Sequence, residues 1–250
     1  MLCLVIVLNT VLKDDLYLRS LNFIYGYQND QPQKAIQVIQ NLISFMCSEI
    51  GIASFVFLYY IISKRKLMRL IHISFLLFAI YISGVLKQAL QKPRPTWYDT
   101  RIESWEWFCP KDFGSPSGHC FFVIVLYEPI VTDSIGLRKF RIMLIPLILL
   151  VTLMPISRMY LGVHSGDQVL FGICLGLTYL TFYRYVGQKA LSKLFWGFLL
   201  GNASKKTIKI VLVVFLNTIT LVLPIIFFLV NRSQNPLLEK YVININATCE

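Results

Sequence analysis

Six apolar stretches, at roughly residues 38–62, 67–90, 117–132, 140–157, 165–186 and 209–231, limit what this chain can fold into, since each is long or apolar enough to cross a bilayer. Of the 250 residues 56% are apolar, enough for roughly six or seven helices of about 20 apolar residues and too much for an ordinary water-soluble domain. The expected fold is therefore all-α: a polytopic membrane bundle of six transmembrane helices over residues 37–231. It is preceded by an N-terminal apolar, interfacial segment at 1–36 and followed by a short tail at 232–250. Met1 to Leu12 lacks a basic start and a cleavage site, and reads as a membrane-lying segment rather than a secretory signal. Leu191 to Leu200 is only about half a span long and reads as a helix lying along the interface.

A net charge of +11 would point to nucleic acid in a soluble protein, but here its distribution gives an orientation instead. The connections after the first, third and fifth stretches hold 13 basic residues, opposed there only by Asp133. That side is expected to be cytoplasmic, with both termini and the other two loops lumenal or exterior. The sequons at Asn231 and Asn246 fall on the lumenal side, and the one at Asn202 on the cytoplasmic side. Six cysteines form no CxxC pair and no zinc-spaced cluster, so no structural metal and no cofactor are expected. Cys109 and Cys249 share the lumenal side, and scattered buried thiols are the reading preferred over a disulfide between them. No nucleic-acid partner is expected, and the sequence does not give an oligomeric state.

Three basic groups fall at the lumenal helix ends: Lys87 with Arg94 and Pro95, the run Ser115-Pro116-Ser117-Gly118-His119, and Ser157-Arg158 followed by His164. Singly, these are interface anchors, a helix start and a core histidine. Together, three cations and two of the chain's three histidines on one face suit a phosphate ester, whose charge crowds as phosphorus is attacked. Ser117, Gly118 and the next amides would form an anion seat at a helix N-terminus. The third stretch is short, about 24 Å for its sixteen residues, so this seat should be recessed. His164, near a helix N-terminus and Arg158, should stay neutral and attack phosphorus, while His119 protonates the leaving oxygen and then activates water. His72 is remote and reads as structural.

Lys87-x6-Arg94-Pro95, Pro116-Ser117-Gly118-His119 and Ser157-Arg158-x5-His164 resemble the three signature motifs of the type 2 phosphatidic acid phosphatase superfamily, which includes vanadium haloperoxidases. The resemblance covers residues 87 to about 168. It implies a six-helix core and phosphate ligands at Lys87, Arg94, Ser117, Gly118 and Arg158, with His164 as nucleophile and His119 as acid. Family members usually carry Asp four residues after the nucleophile. Here Gln168 stands there, and Asp167 is the neighbouring carboxylate. Gln168 is preferred as the residue orienting His164, with Asp167 the alternative. Gln at this place is also similar to glucose-6-phosphatases and dolichyl-diphosphatases, which implies an endoplasmic reticulum or other endomembrane enzyme.

The expected activity is metal-independent hydrolysis of a lipid phosphate or lipid diphosphate through a phosphohistidine on the lumenal face. The alternatives are a glucose-6-phosphatase-like enzyme acting on a sugar phosphate and a catalytically silent structural or transport subunit. Trp97, Tyr98, Trp105, Trp107 and Phe108 form either a lid for a lipid headgroup or an aromatic interface belt. Gly172 and Gly176 are spaced for close helix contact. Glu128 lies near a helix end where solvation accounts for it, whereas Glu49 falls in mid-span with no evident reason.

Overall fold

The computed structural model describes residues 13–29, 34–62, 66–107, 110–134 and 137–200, together with positions 222, 225, 226, 229 and 230. The described residues are helical with no strand: α1 (Lys13–Asn29), α2 (Lys34–Phe45), α3 (Glu49–Ile62), α4 (Lys66–Leu90), the single turn α5 (Pro95–Tyr98), α6 (Gly118–Ser134), α7 (Leu137–Tyr160) and α8 (Gly166–Phe182). A π-helical turn at Tyr183–Gly187 leads into α9 (Gln188–Leu200). Among them, Met68–Tyr98 and Gly166–Gly197 are long and apolar enough to cross a membrane, and α2 with α3 makes a third if the bent pair is one span. Gly118–Tyr127 and Ile145–Tyr160 are shorter apolar helices. The fourth expected stretch thus lies within α7, while most of the sixth, the Met1 to Leu12 segment, Phe108, Cys109, Cys249 and all three sequons lie outside the described residues, as does the side chain of Glu128.

Helix α6 is the centre of the bundle, packing against α8, α7 and α4. Phe75 of α4, Phe121 and Val125 of α6, and Tyr179 of α8 form the core with Tyr183 of the π turn. The Phe75 and Tyr179 rings stack at 4.1 Å, and the Tyr179 hydroxyl donates to the Phe75 carbonyl at 2.8 Å, so this buried polar tip is satisfied. Helix α8 approaches α6 so closely that a Cβ at Gly172 would stand 2.5 Å from the Ser117 carbonyl oxygen. Only glycine allows that approach, which fixes the start of α6 against α8.

Three expectations need correction. The first stretch is not one helix over 38–62: the chain breaks at 46–48 and α2 and α3 meet at a 52° bend. Ser48 drives the restart, its side-chain oxygen accepting the Gly51 N–H at 3.1 Å in the manner of an N-cap. Glu49 is therefore an exposed residue in the first turn of α3, where a carboxylate complements the helix dipole. Residues 191–200 do not form a separate interfacial segment. They continue α8 through the π turn, and α9 packs back on α4. Residues 13–29, assigned only to an apolar N-terminal segment, form helix α1, which docks on α7 and α8 and buries Leu21 and Ile24 against Ile102.

Candidate active site

The connection from α4 to α6 and the turn from α7 to α8 meet at one end of the bundle, where all three motifs come together. Lys87 lies in the last turn of α4. Gln91 then takes a positive φ of 44°, and Pro95 confines Arg94 to extended backbone (φ −78°, ψ 159°), so the helix cannot continue. Arg94, now at the N-cap of α5, points inward with its side chain 2% exposed. Arg158 sits in the last turn of α7, and its carbonyl accepts the N–H groups of Val163 and His164, both at 3.3 Å.

His164 is 1% exposed and immediately precedes Ser165, the N-cap of α8. Gln168 is the N3 residue of the capping box, and its Oε1 lies 3.3 Å from both the Ser165 N–H and His164 Nδ1. Gln168 Nε2 donates to the Pro93 carbonyl at 2.7 Å. These partners fix the amide, because only with Oε1 toward His164 are the Ser165 N–H and the Pro93 carbonyl both satisfied. An acceptor facing Nδ1 puts the imidazole proton there and leaves the lone pair on Nε2, which lies 3.3 Å from Arg94 Nη1. Burial, and then the charges of Arg94, Arg158 and Lys87, hold the His164 pKa well below its ordinary value, so the ring is neutral at neutral pH.

Asp167 is turned elsewhere. Its carboxylate pairs with Lys92 Nζ at 3.2 Å and accepts the Ser165 hydroxyl. The carboxylate three residues after the nucleophile candidate thus braces the turn, and Gln168 is the residue hydrogen-bonded to His164. The Gln168 position also depends on Gly114, where a Cβ would come within 2.6 Å of the Gln168 side-chain oxygen.

His119 lies in the first turn of α6, within electrostatic reach of Arg158, Lys87, Arg94 and Asp112, and of His164. Its Nε2 and the Arg158 Nε are buried without a hydrogen-bond partner, as are the hydroxyls of Ser115 and Ser117, apart from a weak contact of the Cys120 thiol with Ser117. Buried polar atoms left unpaired cost about 1–3 kcal/mol each, so a bound anion that reached the His119 and Arg158 nitrogens would satisfy groups the protein itself does not. The Ser117 backbone does not serve as an anion donor. Its N–H bonds to the Gln168 carbonyl at 3.1 Å, leaving the hydroxyl, Gly118 and the following amides of α6 to fill that role.

Four participants were not singled out from the sequence. Asp112 accepts from both Lys87 and Arg94, and Glu106 and Ser44 accept from Arg158. Lys92 binds Asp167. The one available signal was charge balance: a segment flanked by site cations contains acids whose partners the motifs do not supply. The aromatic residues of this segment are partly structural. Trp97 is buried against Phe113, and Trp105 packs edge-on to Tyr160 at 5.4 Å, while Tyr98 and Trp107 remain exposed. Among the described residues no three His, Cys, Asp or Glu side chains gather as a metal site.

His72, the remaining histidine, sits near the other end of α4, its Nδ1 3.1 Å from the Tyr59 hydroxyl.

The sequence profile of the PAP2 superfamily matches residues 69–192, a range that contains all three motifs. Among solved structures, the chain is similar to a crystal structure described as the first transmembrane PAP2 type phosphatidylglycerolphosphate phosphatase from Bacillus subtilis. The TM-score is 0.60 at 17% identity, covering 75% of this chain and 94% of that one, a likeness of fold. No curated protein matches the chain. Residues 69–192, which hold the core helices and all three motifs, thus match the PAP2 superfamily, and the chain is similar in fold to a transmembrane PAP2 structure.

Proposed function

We propose that this protein is a membrane phosphatase that removes the terminal phosphate of a lipid phosphate or lipid diphosphate through a phosphohistidine intermediate. The observation that carries the reading is the placing of the His164 ring, with Nδ1 on Gln168 and Nε2 facing Arg94.

In this mechanism Arg94, Lys87 and Arg158 draw the phosphoryl oxygens, and the Ser117 hydroxyl and the first α6 amides, beginning at Gly118, complete the cradle. The Nε2 lone pair attacks phosphorus as the P–O bond to the leaving group breaks. His119, which takes up a proton when the anionic phosphate offsets the surrounding cations, gives that proton to the departing oxygen. The new imidazolium keeps its Nδ1 proton on Gln168, and the positive charge on the ring makes phosphorus a good target for the second step. Water then attacks as His119 takes its proton, the P–N bond breaks, and Nε2 regains its lone pair. A Gln acceptor stabilises imidazolium less than a carboxylate, so this enzyme relies on its cations for transition-state charge. None of these steps calls on a metal ion.

The lipid substrate is supported by a site at one end of apolar helices, beside the exposed Trp107 and Tyr98. The excess of basic residues on the connections at the opposite end supports a lumenal or exterior site, and the Gln168 variant supports an endomembrane location. A panel of lipid phosphates, lipid diphosphates and sugar phosphates, assayed with chelator present, tests the reading. Lipid phosphate hydrolysis is the expected result. Hydrolysis of glucose 6-phosphate alone would transfer the site to a soluble substrate, and no hydrolysis of any phosphoester would contradict the enzyme assignment.

A further inference from the structure

The cations of the site already have carboxylate partners. Lys87 Nζ donates to one side-chain oxygen of Asp112 and Arg94 Nη2 to the other, while Arg158 holds both oxygens of Glu106. Both acids belong to the segment between α5 and α6, yet they are held differently. The Glu106 side chain is 12% exposed, and its backbone neighbours are clamped by Asn41 of α2, which donates to the Trp105 carbonyl at 2.9 Å and accepts the Trp107 N–H at 3.0 Å. The Asp112 side chain is 50% exposed. Its backbone is nevertheless pinned, since Arg94 Nε donates to the Asp112 carbonyl at 2.7 Å and the Gly114 N–H to the Lys92 carbonyl at 2.9 Å. The carboxylate can therefore rotate into water about its own side-chain bonds while the loop stays in place.

We propose that Asp112 is a displaceable stand-in for two phosphate oxygens: it spans Lys87 and Arg94 between turnovers, yields to the phosphoryl group, and returns to expel inorganic phosphate. The proposal rests on the phosphatase reading and deepens it. A carboxylate and a phosphate offer similar oxygen pairs to a guanidinium or ammonium, so both cannot hold the same donors. Charge sets the selectivity. With Glu106 fixed on Arg158, Asp112 in place leaves one net positive charge among the three cations, whereas Asp112 turned out leaves two, the match for a phosphomonoester dianion. Asp112 is then a specificity-determining residue that disfavours singly charged diesters, and Glu106 is a permanent counterion that positions Arg158.

Orthovanadate and inorganic phosphate are the probes, used as inhibitors of the full chain in detergent or nanodiscs. Asp112→Asn and Asp112→Ala should both lower the Ki of each anion by about tenfold, the scale of one lost charge-assisted competitor. KM for the phosphorylated substrate should fall with it, and kcat should not rise because product leaves more slowly. If Asp112 merely kept the cations in place, Asp112→Ala would raise both Ki values. An unchanged or raised Ki in either variant overturns the proposal while wild-type hydrolysis leaves the phosphatase reading intact. Wild-type protein inactive on every phosphoester overturns the reading itself. A second measurement needs no variant: orthovanadate should increase carbodiimide labelling of Asp112 in the wild type, and protection from labelling contradicts displacement.

Discussion

Each end of helix α4 places an imidazole near a cation, but only one end is built for chemistry. Near its start, His72 hydrogen-bonds Tyr59, and Arg69 lies over the Tyr59 ring at 4.0 Å. Val56, Phe75, Leu76 and Leu126 line an apolar cavity beside His72 and Tyr59. Near its other end, three cations meet two carboxylates, and Nε2 of His164 faces a guanidinium. Residue type is thus shared by the two regions, and environment separates them. At the first, the Tyr59 ring faces the guanidinium and the Tyr59 hydroxyl meets one imidazole nitrogen. At the second, donors converge and one ring nitrogen is held in a defined protonation state. A histidine becomes a nucleophile candidate through its hydrogen-bond partner and the charges ahead of it, rather than through burial, which both share.

Substitutions at the two ends should therefore diverge. His164→Ala should reduce turnover to the level of the blank, measured on whichever phosphoester the panel identifies. Measurable turnover above that level would remove the contrast between the two regions. His119→Ala should slow the reaction by about 10²–10⁴, the usual worth of a positioned proton donor. A leaving group that needs no protonation should recover part of that loss in the first step. Gln168→Ala deprives Nδ1 of its acceptor and should cost about 10–100-fold in kcat, the scale of an unsatisfied buried donor. Gly114→Ala should produce a similar loss by pushing the Gln168 amide aside, whereas Asp167→Asn should stay within about tenfold. An inverted order, with Asp167 costly and Gln168 cheap, would make the carboxylate the orienting group.

The pH profile sharpens the comparison further. Because burial and the neighbouring cations depress the His164 pKa, its neutral form persists as pH falls below 6.5, and the acid limb of kcat/KM should lie below that value. Gln168→Glu places a negative charge on Nδ1, favours imidazolium, and should move the acid limb to higher pH. No movement would mean that the limb reports another group. His72→Ala should leave kcat within about twofold and act through stability, read as a lower melting temperature.

The helices of the second to fifth stretches and the three motifs were legible in the sequence because both rest on local signals, apolar run length and fixed spacing. The same signals concealed the break at 46–48, since Met46 and Cys47 are apolar and hydropathy does not register a restart driven by Ser48. Helix α1 was missed because the apolar stripe of Lys13–Asn29, Tyr17, Leu21 and Ile24, is short and set among other apolar residues, and its docking depends on a few contacts with distant residues. The motif cations could be grouped in advance, but their carboxylate partners could not. Asp112 lies 25 residues from Lys87 and Glu106 lies 52 from Arg158, and no spacing rule joins a loop acid to a helix-end cation across such distances. Gln168 was identified by its place one turn after His164. Choosing it over Asp167 required the Pro93 carbonyl and the Lys92 ammonium, which only the folded chain brings together.

Phosphohistidine trapping tests the central claim most directly. Protein quenched during turnover of substrate labelled with radioactive phosphorus should carry an acid-labile, base-stable label on the peptide containing His164, and the label should be absent from His164→Ala. Active enzyme that carries no such label, or carries it on another residue, would contradict the account.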